Sequence, residues 1–237
     1  NLLRYYFHLK KKFSYLDKKK FNNIFLIEFF PHYPSIIAFS HYAEVISKNF
    51  RAQPVLYDPR LPTKKLNDFV YKIKRIINPI LYLYKMFGFR DFYFIKSNPI
   101  TKKKALSYYK KNLNFKNKSQ ILNLKIYNIY IGDLLYDEYL RTFNKPTITF
   151  EKEDSNEFEN YLINFLEAFF YWYDFFKTNK KVKSLIISHT VYAKGIAPRI
   201  AVHKGIKVFC VANQVSTLIS KKNLYKFDDT KYFKKTF

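Results

Sequence analysis

The sequence predicts an α/β fold, a Rossmann-like parallel sheet covered by helices, and three features carry that expectation. Short, almost wholly apolar runs alternate with longer segments whose apolar residues recur every three or four positions. This is the pattern of buried strands joined by crossover helices. Pro31, Pro34, Pro99 and Gly205 fall between those runs, where they break or start helices and turn the chain. The hydrophobic fraction of 48% supports a packed core, and the aromatic fraction of 21% excludes low-complexity disorder.

Taken in order, residues 1–20 form a basic amphipathic leading segment, with apolar positions at Leu2, Leu3, Tyr6, Phe7, Leu9, Phe13 and Leu16. Such a segment packs on the domain with its lysines in water, or lies on an anionic membrane surface. Residues 21–237 make up the α/β domain. Its first strand is "NIFLIEFF" (23–30), followed after Pro31 and Pro34 by a helix capped by Ser35 and running to Phe50. "PVLYD" (54–58) is a second strand, 63–87 a helix with a break at Pro79, and "FYFIKS" (92–97) a third strand. Pro99 starts the next helix. Residues 155–178 give the clearest helix, with Ser155 as cap and an aromatic stripe through Phe158, Tyr161, Phe165, Phe169, Tyr173 and Phe176. A strand at 183–188, a helix at 193–204 and a strand at 206–211 close the pattern.

The net charge of +25 arises from 43 basic and 18 acidic residues, and suits an anionic partner. Only seven of the basic residues are Arg, whereas base readout favours the Arg fork, which argues against nucleic acid. Abundant Lys, Asn, Ile, Phe and Tyr also match A/T-rich codons, an origin for much of the charge without function. The single Cys210 lies in an apolar run and permits no disulfide framework, so a cytoplasmic setting is expected. No apolar run reaches bilayer-spanning length. The chain begins without Met and ends without a closing apolar element, which suggests a C-terminal truncation.

Two stretches concentrate chemistry. In "LIISHTVYAKGIAPRIAVHKGIKVFCVAN" (185–213), His189 falls at the carboxyl end of a buried strand, where α/β folds present side chains to ligand. Ser188, His189 and Tyr192 line the strand-to-helix turn, Gly195 permits close packing, and Arg199 follows one helical turn later, suited to a phosphate or carboxylate. Gly205 is a helix stop. In "IYNIYIGDLLYDEYLRTF" (126–143), Gly132-Asp133 opens a helix on which Asp133, Asp137 and Arg141 share one face, near Tyr136 and Tyr139. A plain surface helix with ion pairs four residues apart gives the same spacing. There is no dinucleotide fingerprint, Walker loop, nucleophile elbow or H-E-x-x-H, and one Cys with scattered His does not suggest a metal site.

"IGDLLYDEYLR", a long aromatic helix and "SHTVYAKGIAPRIAVHKGIKV" together resemble the amino-terminal half of bacterial capsule and surface-polysaccharide biosynthesis proteins, which look like glycosyltransferases of the two-domain GT-B architecture. The resemblance covers roughly residues 90–215. It implies an acceptor-side domain of an enzyme that moves a sugar from a nucleotide-sugar donor onto a glycan or lipid-linked glycan, without a bound cofactor or metal. It also implies peripheral association with the inner face of the cytoplasmic membrane, and inactivity of this portion alone. Glycosyl transfer needs a base for the acceptor hydroxyl; Asp133 and His189 are the candidates, with Asp137 third. Arg141 and Arg199 then hold anionic groups, and Tyr136, Tyr139 and Tyr192 stack on sugar rings. The competing expectation is a non-enzymatic basic module for nucleic acid or an anionic membrane surface.

Overall fold

A computed structural model describes residues 21–59, 84, 92–95, 98–149, 152–211 and 216–225, together with Arg4, Phe7, His8, Lys10 and Lys11. Among the described residues the main sheet has six strands: β1 (Asn23–Glu28), β2 (Ala52–Asp58), β3 (Phe92–Phe94), β6 (Val182–Ile187), β7 (Lys207–Val211) and β8 (Ser216–Ile219), in the order β3-β2-β1-β6-β7-β8. Every neighbouring pair is parallel except β7–β8. A small antiparallel hairpin of β4 (Lys125–Ile126) and β5 (Ile129–Tyr130) stands apart from it. The strand order reverses between β1 and β6. This is the doubly wound α/β arrangement, with its topological switch point at that pair.

Side-chain alternation assigns the two faces. Phe25, Ile27, Leu56, Ile186 and Val211 pack with α1 (Tyr33–Phe50) through Ile36, Phe39, Ala43 and Ile46. Leu26, Val55, Tyr57, Leu185, Ile187 and Cys210 point the other way, into a larger core with α5 (Lys152–Thr178) and α6 (Ile196–His203). Because strand side chains alternate with period two, continuous apolar runs bury both faces, which is why these strands lack polar alternation. The aromatic stripe of α5 is core: Phe165, Phe169, Phe170 and Trp172 have no exposed surface, and Trp172 meets the Tyr57 ring edge-on at 5.3 Å.

α2 (Pro99–Asn112) lies on α5. Asn98 caps it by accepting from the Ile100 amide at 2.9 Å, and buried Glu167 of α5 accepts from the Asn98 amide at 3.0 Å. α3 (Lys118–Leu122) leads into the hairpin, and α4 (Gly132–Phe143) follows it. A Cβ on Gly132 would collide with the carbonyls of Ile121 and Leu122, so the Gly-Asp step serves close packing of α3 on α4. Gly205 adopts φ 77° and ends the last turn after α6, as expected.

Several boundaries differ from expectation. α1 begins at Tyr33 with His32 as its cap residue, and Ser35 sits inside the first turn, where its Oγ lies 3.0 Å from His32 Nδ1. α5 begins at Lys152, so Ser155 is within the helix. The segment after β6 is a 3-10 turn, Tyr192–Gly195, before the α-helix proper. The helix expected over 63–87 lies outside the described residues apart from helical Tyr84, as do most of residues 1–20. Among the described residues no helix is long and apolar enough to cross a membrane.

Candidate functional site

The crevice beyond the carboxyl ends of β1 and β6 is where this topology places ligands, and it holds a connected polar cluster. β1 ends in Glu28, which is 1% exposed. Its Oε2 accepts from the Ser188 amide at 2.6 Å and from Ser188 Oγ at 2.8 Å. Lys194 Nζ lies 3.0 Å from the other carboxylate oxygen. That contact is a charge pairing without hydrogen-bond alignment, since Glu28 Oε1 accepts no well-directed proton. Lys194 also sits over the Phe30 ring, 4.4 Å from its centre.

His189 joins the cluster through Nδ1, 2.6 Å from Ser188 Oγ. A serine hydroxyl carries one proton. With that proton directed to the Glu28 carboxylate, Ser188 Oγ accepts from His189 Nδ1–H, and the basic lone pair of a neutral ring resides on Nε2. The result is a Glu28–Ser188–His189 chain in which a buried carboxylate orients the imidazole. Phe30 packs edge-on against the His189 ring at 5.9 Å.

The backbone around the crevice is fixed from three sides. Tyr84 Oη lies 3.0 Å from the Phe30 carbonyl and 3.2 Å from the Phe30 amide, clasping the exit of β1. Burial raises the Tyr84 hydroxyl pKa, so the phenol stays protonated and can donate. Cys210 Sγ donates to the Ser188 carbonyl at 3.3 Å. Tyr192 takes φ 57°, a left-handed backbone uncommon for a bulky residue, and Arg141 covers its ring at 4.7 Å. Gly195 is packed so closely that a Cβ would fall on the Thr190 carbonyl and within 2.8 Å of Leu134 Cδ2.

The sequence-derived residues separate into two groups. Ser188 and His189 directly follow β6 at its carboxyl end, and Tyr192 opens the 3-10 turn after them that Gly195 closes. Asp133 belongs elsewhere: Arg199, 3% exposed, binds it through Nη1 at 2.5 Å and Nη2 at 2.6 Å, and donates also to the Tyr130 carbonyl at 2.9 Å. The Arg199 guanidinium is thus engaged in tying α6 to α4 and the hairpin, with the Tyr225 ring 5.0 Å from its Cζ. Glu138 and Arg141, not Asp133, reach the turn after β6, where Ala193 N donates to Glu138 Oε2 at 2.9 Å. Asp133 lies five residues before Glu138, about 7.5 Å back along the helix axis.

Tyr136 is 5% exposed and Tyr139 fully buried, the latter packed on Phe143, Phe158 and Tyr161. A sealed ring offers no face to a sugar, so both are core residues here. Asp137 is exposed, yet local desolvation and the Asp133 carboxylate raise its pKa against the opposing pull of Lys118 and Arg199. Arg141 is bound to neither Asp133 nor Asp137 in an ion pair; it stacks on Tyr192.

Glu28, Lys194 and Tyr84 were not among the sequence candidates. Glu28 had a signal: it is the one charged residue in an eight-residue apolar run, and a buried charge requires a partner. Lys194 and Tyr84 had none, because their partners are remote in sequence. A pocket of about 470 Å³ opens between α2 and α5, bordered by Tyr109, Phe115 and Phe158, and shares no residue with the crevice cluster. Among the described residues no three His, Cys, Asp or Glu gather as a metal site. No family model, curated protein or solved structure matches this chain.

Proposed function

We propose that this chain is the acceptor-side part of a glycosyltransferase, with His189 as the base. The observation that carries the proposal is the Glu28–Ser188–His189 hydrogen-bond chain at the topological switch point. It supplies an oriented imidazole at the edge where an α/β sheet receives ligand. The motif resemblance to polysaccharide biosynthesis proteins supplies the reaction class.

In this mechanism the acceptor hydroxyl gives its proton to His189 Nε2 as its oxygen attacks the anomeric carbon of the nucleotide sugar. The bond from that carbon to the phosphate oxygen breaks, and the nucleotide leaves with the electron pair. Glu28 stabilises the imidazolium through Ser188, and Lys194 balances the buried carboxylate. Tyr192 and Arg141 stand beside the acceptor path. Donor binding and phosphate stabilisation belong to a second domain of the GT-B kind, and Asp133 and Arg199 act here as a structural clasp.

The test is nucleotide release from a panel of nucleotide sugars with glycan and lipid-linked glycan acceptors, using the complete protein. His189→Ala should lower turnover by about 100- to 10,000-fold, the usual range for a general base. Donor KM should move little. Full turnover in His189→Ala would remove the residue from the mechanism, and no consumption of any donor would remove the transferase reading.

A further inference from the structure

The opposite edge of the sheet carries a second surface. No Asp or Glu occurs between Asp174 and Asp228, while eleven Lys or Arg do. The fold resolves that stretch into two ends. Lys194 and Arg199 face inward and pair with Glu28 and Asp133. The remaining described cations gather around the amino ends of the parallel strands.

Their placement follows from topology. Lys177 closes α5, and Lys180, Lys181 and Lys183 lie in the turn and first residues of β6. Lys204 follows α6, and Lys207 opens β7 beside Ser184. β8 runs antiparallel, so Lys221 and Lys222 after it return to this same edge. Arg51 joins from the end of α1. All eight lysines and Arg51 are exposed. No carboxylate pairs with any of them among the described residues. Their crowding is felt locally: desolvation together with the charges of Lys221 and Lys204 lowers the pKa of His203.

We infer that this lysine rim docks the domain on an anionic lipid bilayer. Codon usage accounts for abundant lysine, but not for a run without carboxylates whose cations fold onto one edge. Lysine ammoniums act as point charges suited to a diffuse negative surface, and the rim holds only one arginine fork. Two of its rings are covered by cations rather than open to bases: Lys204 sits 3.9 Å over Tyr173, which packs at a tilt against Tyr127, and Lys207 lies 5.0 Å over Phe50. The six-residue strand β6 separates the rim from the crevice, which would stand about 20 Å off the bilayer. This inference does not depend on the transferase reading.

Co-sedimentation of the full chain with phosphatidylcholine vesicles, with and without one-third phosphatidylglycerol, tests it. Binding should require the anionic lipid and weaken with salt. On the order of fivefold in partitioning per lysine predicts a loss of about 100-fold in the triple variant Lys180→Gln, Lys181→Gln, Lys207→Gln. The triple variant Lys102→Gln, Lys103→Gln, Lys110→Gln, on α2, should keep nearly all binding. Equal losses in the two variants, or none in the first, would overturn the proposal. So would random RNA displacing the protein from vesicles at equal phosphate concentration.

Discussion

The pairing of Glu28 with Lys194 yields a stability prediction that also tests whether the crevice is preorganised. Glu28 is sealed at 1% side-chain exposure, while Lys194 keeps 21%. Glu28→Gln removes the charge and converts one carboxylate oxygen into a donor facing either Ser188 N–H or the Lys194 ammonium. Breaking a buried pair from one side costs about 3–5 kcal/mol. Because the Lys194 ammonium still reaches water, the expected loss is lower, about 2–3 kcal/mol. Lys194→Met leaves Glu28 buried with its two Ser188 hydrogen bonds but without a cation, and about 3 kcal/mol is expected. The double variant should cost less than the sum, with a coupling of about 1–2 kcal/mol. Urea unfolding followed by circular dichroism, at low and high salt, measures all four corners of the cycle. Salt should change the coupling little, since the pair is largely shielded from solvent ions. A coupling below about 0.5 kcal/mol would refute the argument, because the two groups would then be held independently and Glu28 would rest on its Ser188 hydrogen bonds without Lys194.

Further outcomes follow from individual contacts. Gly195→Ala places a methyl against the Thr190 carbonyl and should destabilise by about 2–3 kcal/mol in the same unfolding assay; Gly205→Ala, strained at φ 77° but sterically open, should cost about 1 kcal/mol. Asp137 has a folded pKa above its unfolded value, so its ionisation opposes folding once pH exceeds the unfolded pKa. Asp137→Asn should therefore raise the Tm at pH 7 and leave it unchanged near pH 2.5; a lower Tm at pH 7 would contradict the assignment. His203 has the opposite dependence. Its lowered folded pKa means that stability falls as pH drops through the unfolded value near 6.5, and His203→Gln should flatten the acid limb of a Tm–pH profile.

Much of the architecture was legible in local pattern. The five parallel strands were recognisable because a helix-covered sheet buries both of its faces, leaving short apolar runs such as "FLIEFF" and "SLIIS"; the antiparallel β8 and the β4–β5 hairpin, short and partly exposed, carry no such run. The helix starts were less legible: α1 and α5 begin two to three residues from the expected caps, since Ser35 and Ser155 fit the cap preference without occupying the cap position. His189 could be placed at the crevice because strand order and direction alone put the residue after β6 at a carboxyl edge.

The sequence by itself determined the alternation of strands and helices, the burial of the aromatic stripe, and the position of Ser188-His189 at a strand end. All of these depend on periodicity or on neighbours a few residues away. Only the tertiary structure decided the partners. Arg199 has the chemistry to hold a free anion, but Asp133, 66 positions away, occupies its guanidinium. Tyr139 has the chemistry of a ligand-stacking ring, but Phe158 and Tyr161 of α5 cover it, and Tyr136 is buried in the same core. Glu28 gained its role from a residue 160 positions distant. A side chain's charge and shape are local properties, but whether they meet solvent, a core or an opposite charge depends on which segments the sheet brings together.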